Sequence, residues 1–133
     1  MRYLLDTNIC IYLIKQKPPQ VLERFQTLAL SDVGISSITV AELEYGIYKS
    51  QQQEKNHNAL MQFLIPLEIV DFDQAAATIY GSIRSDLERR GLVIGSMDML
   101  IAAHAISLGV VLVSNNAREF SRITNLSLEN WAD

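Results

Sequence analysis

The 133 residues are enough for one domain with a buried core and too few for two ordinary ones. Hydrophobic residues make up 49% and charged residues 20%, the balance of a globular chain that folds in water; 15 acidic against 11 basic side chains leave a net charge of −4. That charge argues against coating nucleic acid through bulk positive potential, and it leaves room for an acidic site whose field bound cations reverse.

Taken in chain order, Tyr3 to Leu5 is a short apolar run, predicted as a strand, that ends abruptly at Asp6-Thr7-Asn8. Nothing in the opening residues reads as a secretory signal, so a cytoplasmic location is expected. Ile9, Tyr12, Leu13 and Ile14 then recur at helical spacing. Cys10, the only cysteine, sits between Ile9 and Ile11 and reads as a small buried hydrophobe. One thiol forms no internal disulfide, and no Cys/His cluster suggests zinc. Pro18-Pro19 suits a helix start, with Val21, Leu22, Phe25 and Leu28 as the apolar face. Val33 to Ile35 reads as a second strand, and Ser37 to Gly46 as the opening of a helix. Gln51 to Leu64 carries Leu60, Met61 and Leu64 at helical spacing and is stopped by Pro66; Leu67 to Phe72 is a third strand. Asp73 can cap a helix running through Arg90, with Ala76, Ile79, Tyr80, Ile83 and Leu87 on one face and Gly91 as its stop. Ser96 to Leu108 is a helix ending at Gly109, and Val110 to Val113 a strand. The longest apolar stretch, Met99 to Val113, is broken by His104 and Gly109. It falls short of the roughly 18–20 residues a membrane span needs, so no membrane partner is expected. A turn of helix follows around Arg118 to Phe120.

Strands that are short apolar runs, alternating with helices, belong to a parallel sheet covered on both faces. The expectation is a single α/β domain over residues 1–133, an α/β/α sandwich around a mainly parallel sheet. In such folds the working site lies at the carboxyl ends of the strands, where strand order reverses.

Polar clusters fall where that edge should be. Asp6 follows the first strand, and Ser114-Asn115-Asn116 follow the strand ending at Val113. Glu42 and Asp98 are expected in the first turns of helices starting near the same edge, with Glu119 close by. Each has a plain reading. Asp6 can cap a helix, Thr39 to Glu42 matches a capping box, and Asp98 can complement a helix dipole. Together they suggest more, because carboxylates converging on one cleft raise one another's pKa unless a cation neutralises them. Oxygen-only donors suit Mg²⁺ or Mn²⁺, ions that can bind a phosphodiester, activate a water and stabilise a leaving oxygen. No Ser/His/Asp set and no glycine-rich phosphate loop competes.

Four motifs, in order, carry a family resemblance: Leu4-Leu-Asp6-Thr-Asn8, Ile38-Thr-Val-Ala-Glu42-Leu, Gly95-Ser-Met-Asp98-Met-Leu-Ile-Ala-Ala-His104-Ala, and Val113-Ser-Asn-Asn116-Ala-Arg-Glu119-Phe. With the ending Leu128-Glu-Asn-Trp131, the set resembles the PIN-domain ribonucleases, most closely the VapC toxins of bacterial toxin–antitoxin pairs. The resemblance implies a PIN-like sandwich, Asp6 and Asp98 as ligands of Mg²⁺ or Mn²⁺, and Glu42 binding the ion or its water. Asn116 falls where relatives carry Asp or Asn, and a neutral side chain there holds a second ion less well. Ser114 matches a hydroxyl that orients Asp6 or water, Glu119 adds charge behind the site, and Thr7 and Asn8 support the turn that aims Asp6. The implied activity is an endoribonuclease acting on structured RNA, tRNA above all, with the anticodon loop of initiator tRNA preferred. A homodimer and inhibition by a VapB-type antitoxin are implied too.

His104, six residues past Asp98, reads as a structural histidine rather than a general base, and His57 as solvated. Among Arg84, Arg89, Arg90, Arg118 and Arg122, only Arg118 lies beside the predicted site and is a candidate phosphate contact. The apolar face of residues 43–64, with Tyr45, Tyr48, Leu60 and Phe63, suits either core packing or an antitoxin peptide. A haloacid-dehalogenase type of phosphotransferase would also begin with a strand-end Asp but wants a second one where Asn8 stands. A degenerate PIN domain that binds without cutting is the nonenzymatic alternative.

Overall fold

The computed structural model describes residues 1–133. Five strands, β1 (Tyr3–Leu5), β2 (Val33–Ser36), β3 (Glu68–Val70), β4 (Val111–Val113) and β5 (Leu128–Glu129), form one sheet in the order β3-β2-β1-β4-β5. All four pairings are parallel. Seven helices connect them: α1 (Thr7–Lys15), α2 (Pro19–Gln26), α3 (Ser37–Lys49), α4 (Gln53–Leu64), α5 (Gln74–Arg90), α6 (Ser96–Leu108) and α7 (Ala117–Phe120).

Successive side chains of a strand point to opposite faces, and the core divides accordingly. Tyr3, Leu5, Ile35 and Val113 join Ile9, Leu13, Leu43 and Leu60 in one apolar cluster. Leu4 and Leu112 join Leu87, Met99, Ile101 and Phe120 in the other. The helices α1, α3 and α4 therefore cover one face, and α5 and α6 the other, which gives the expected sandwich. Helix α6 is apolar almost all round because it packs against α5, α3 and β4 at once; Met99 and Ile101 to Ala105 are buried. No helix is long and apolar enough to cross a membrane.

Two elements depart from the sequence expectation. Strand β3 is three residues rather than the six of Leu67 to Phe72, and Glu68 and Ile69 are exposed because β3 is an edge strand paired only with β2. Strand β5 lies at the opposite edge. Its two residues, Leu128 and Glu129, pair with Leu112 and Val113 and form no apolar run that periodicity could find.

The topology places the site. The chain steps outward from β1 to β2 and β3, then returns to β4 on the other side of β1. Strand order thus reverses between β1 and β4, whose register aligns Leu5 with Val113. The crevice at their carboxyl ends is flanked by Asp6 and Ser114.

Candidate active site

Asp6 continues the β1 ladder, its N–H donating to the Val113 carbonyl at 3.0 Å, and then turns into the N-cap of α1. Its Oδ1 accepts the Ile9 N–H at 2.9 Å. The capping reading of Asp6 is thus correct, but it occupies one oxygen only. Asp6 is 5% exposed, and its carboxyl is raised from 3.8 to about 6. Burial is the main cause. The Asp98 and Glu42 charges add to the rise, while the Ser114 hydroxyl and the Ile9 N–H oppose it.

Glu42 is the sixth residue of α3, one turn further in than expected, and it belongs to no capping box. The cap of α3 is Ser36, whose Oγ accepts the Ile38 N–H at 3.1 Å; Thr39 lies inside the helix, fully buried. Instead, Glu42 Oε1 accepts the Thr7 hydroxyl across the crevice at 2.6 Å. Thr7 therefore acts on Glu42, a partnership 35 residues apart in sequence that no local pattern announces. Asn8, expected beside Thr7 as a turn support, is exposed.

Asp98 is the third residue of α6 and half-buried. Its carboxyl is also raised, by burial first and then by Glu42 and Glu119. The helix begins after Gly95, where an added Cβ would stand 3.7 Å from Asp98 Oδ2, so the carboxylate lies back over the helix start. On the β4 side, Ser114 is fully buried and its Oγ accepts the Asn116 N–H at 2.9 Å. Asn115 turns away, donating through Nδ2 to the Tyr12 hydroxyl at 2.6 Å, which leaves Asn116 as the neutral member of the site.

Two further polar partnerships have no signal in the sequence: Tyr12 with Asn115, and Ser36 with His104, where Nδ1 lies 2.8 Å from Oγ. They join single polar residues of separate segments, which spacing alone does not pair. Arg118 is exposed next to Glu119. The remaining arginines are engaged at the surface, Arg84 with Glu88 at 3.5 Å and Arg90 with Asp86 at 2.6 Å, while Arg122 reaches the Leu92 and Val93 carbonyls. His57 faces Glu44 at 4.0 Å, on the outer helices.

Asp6 thus feels the charges of Glu42 and Asp98, and Asp98 those of Glu42 and Glu119, although no three of them close into a group that could itself hold a metal ion. Like charges in a half-buried cleft repel, and a cation between them would relieve the repulsion. The donors are all oxygens, which matches a hard divalent ion and not zinc. Beside Glu42 opens a cavity of about 280 Å³ between α1, α3 and α4, lined by Ile11, Lys15, Gly46, Asn56 and Leu60 among others. Tyr45 and Tyr48 stand outside it on the surface, and Phe63 packs against the core.

Residues 3–126 match the PIN domain family. The chain is 48% identical over 132 residues to Ribonuclease VapC2 of Rickettsia felis, with 98% of both chains covered. It is 46% identical over 132 residues to the tRNA(fMet)-specific endonuclease VapC of Shigella flexneri, covering 99% of each. Its structure is similar to VapBC2 from Rickettsia felis bound to a DNA fragment from their promoter, with TM-score 0.92, 47% identity, and 98% and 99% of the two chains covered.

Proposed function

This chain belongs to the PIN-domain family, and from that membership and its carboxylate cluster we propose that it is a VapC-type ribonuclease toxin that hydrolyses RNA with the help of Mg²⁺ or Mn²⁺. One observation carries the reading beyond membership. The charges of Glu42 and Asp98, from two other elements, reach Asp6 where strand order reverses and help to raise it to about 6.

When bound, such a cation holds the scissile phosphodiester, makes a water nucleophilic and steadies the leaving oxygen. Asp6 and Asp98 are the residues to hold it, and Glu42 orients the attacking water. Asp6 keeps one oxygen on the Ile9 N–H, so its other oxygen is the one presented to the crevice. Thr7 holds Glu42 through the 2.6 Å hydrogen bond. Ser114 steadies Asp6, Asn116 offers a neutral fourth corner, and Glu119 adds negative charge behind Asp98. Arg118, exposed at the start of α7, contacts a backbone phosphate. Cleavage leaves a 5′-phosphate and a 3′-hydroxyl.

The substrate we propose is tRNA, with the anticodon loop of initiator tRNA preferred; the name of the Shigella flexneri relative supports this choice. The partner is a VapB-type antitoxin, supported by the VapBC complex to which the fold is similar. It docks along the apolar cavity between α1, α3 and α4, which ends at Glu42. The toxin acts as a homodimer in the cytoplasm.

The test is cleavage of total RNA and of initiator tRNA, with Mg²⁺ or Mn²⁺ and then with EDTA, alongside Asp6→Asn and Asp98→Asn. Cleavage should require the metal, and each variant should lose about 100-fold or more. Metal-independent cutting, or variants as active as the parent, would sink the mechanism. RNA binding without any cutting would instead favour a PIN domain that has become a binding module.

A further inference from the structure

We infer that His104 is a positioning residue of this site: its hydrogen bond to Ser36 fixes how α6, which carries Asp98, sits against α3, which carries Glu42. The inference rests on the ribonuclease reading above for its functional consequence, and on geometry for its substance.

His104 and Ser36 are 1% and 0% exposed, and Nδ1 lies 2.8 Å from Oγ although 68 residues separate them. Ser36 is the N-cap of α3, and Glu42 lies six residues further along that helix. Asp98 lies six residues before His104 on α6. At 1.5 Å per residue each carboxylate is about 9 Å along a helix axis from the buried bond. A tilt of either helix about that bond therefore moves a carboxylate.

The proton can be placed. Ser36 Oγ already accepts the Ile38 N–H at 3.1 Å and its own hydroxyl is free to donate to Nδ1, so we assign the imidazole proton to Nε2. Burial holds the imidazole below its ordinary range, against the opposing pull of Asp73 and Asp71 from the turn after β3, so it stays neutral and able to accept. The ring is also wedged. The edge of Phe72 packs against it with centroids 5.4 Å apart, and the Phe72 N–H donates to Ser37 Oγ at 3.1 Å. One junction thus ties together the start of α3, the turn after β3, and α6.

Filling space does not account for this residue. His104 Nε2 is buried without a well-formed hydrogen bond, the ring having only a weak one to the Asp71 backbone, and leucine or phenylalanine would fill the same space without that polar cost. What the imidazole supplies in return is a directional link between two helices whose carboxylates repel each other. Sites of this kind tolerate displacements of only about half an ångström.

Two isosteres separate the two nitrogens. Asparagine places a polar atom near the position of Nδ1, and glutamine near that of Nε2. We would measure Mn²⁺ affinity by calorimetry, kcat and KM for RNA cleavage, and thermal stability for His104→Asn, His104→Gln and His104→Leu. The Gln and Leu variants should lose about tenfold in Mn²⁺ affinity and in kcat with KM within twofold, while Asn restores both to within about threefold of the parent. Ser36→Ala approaches the bond from its other end and serves if His104→Leu fails to fold. It should show the same loss, and adding His104→Leu or His104→Gln should not deepen it. Parental Mn²⁺ affinity in Ser36→Ala, rescue by Gln equal to that by Asn, or losses that merely follow melting temperature would overturn the inference. A parent that binds Mn²⁺ but cuts no RNA would fell the ribonuclease reading and leave the affinities to decide this one. A parent that does neither overturns both.

Discussion

At Asp6 one carboxylate oxygen caps α1 through the Ile9 N–H, and burial lifts the group from 3.8 to about 6. A carboxyl whose folded-state pKa exceeds its unfolded one destabilises the fold once it ionises. The cost is absent below about 3.8, grows between there and about 6, and is complete above. A shift of that size corresponds to about 3 kcal/mol at pH 7.5. Asparagine caps as well as aspartate but never ionises. Asp6→Asn should therefore match the parent in thermal melts at pH 4 in EDTA, and exceed its stability at pH 7.5 by as much as about 3 kcal/mol while losing cleavage. Parallel pH profiles for the two proteins would show that the buried charge costs nothing. Glu42 has a related arrangement without the deep burial, since the Thr7 hydroxyl takes one of its oxygens and the other is left for the crevice.

Among the elements, α3 does most to join site and surface. It begins at the buried Ser36, passes Glu42, and then lines the apolar cavity with Leu43, Gly46 and Ile47. Gly46 is exposed in mid-helix, and a Cβ there would meet nothing within 4 Å. Gly46→Ala should therefore stabilise the protein by about 1 kcal/mol in thermal or urea unfolding. Gly46→Phe should keep RNA cleavage but weaken antitoxin binding by about tenfold or more, measured by calorimetry, because the ring occupies the cavity. Unchanged affinity would move the docking site elsewhere.

The elements also show what sequence can and cannot reveal. Helix α5 was legible from end to end because Asp73 caps it through Ala76 and Gly91 closes it at φ 68°, both local signals. Strands β1, β2 and β4 were legible as apolar runs because both their faces are covered. By contrast β5 is defined only by its neighbour, and β3 is cut short at an exposed edge. The same division holds within the site. Asp6, Asp98 and Asn116 follow from strand ends and helix starts. Thr7 to Glu42 and Ser36 to His104 are long-range pairs whose partners are set by packing, so no local pattern points to either.

For the whole molecule, the cation proposed above would favour the folded state, because only folding brings Asp6 within reach of the Glu42 and Asp98 charges. An ion that binds only the folded form stabilises it by mass action, and protons compete for the same oxygens. At 100 times its dissociation constant, Mn²⁺ should stabilise by about 2.7 kcal/mol at pH 7.5. With Asp6 titrating near 6, the same Mn²⁺ concentration should give a clearly smaller thermal shift at pH 5. An equal shift at both pH values would place the ion away from Asp6.

The register of β1 has a consequence in time as well as in space. Leu4 pairs with Gly34 on one side and, on the other, with Leu112, which is made 108 residues later. At 5–20 residues per second, roughly 5–20 s of translation separate Leu4 from Leu112. Until β4 emerges, Asp6 has neither the Val113 carbonyl to bind nor Ser114 beside it, and Asp98 itself comes only shortly before. A chain released before β4 is made therefore lacks the crevice between β1 and β4. On the ribonuclease reading proposed above, the hazard of making such an enzyme begins only when β4 has joined β1.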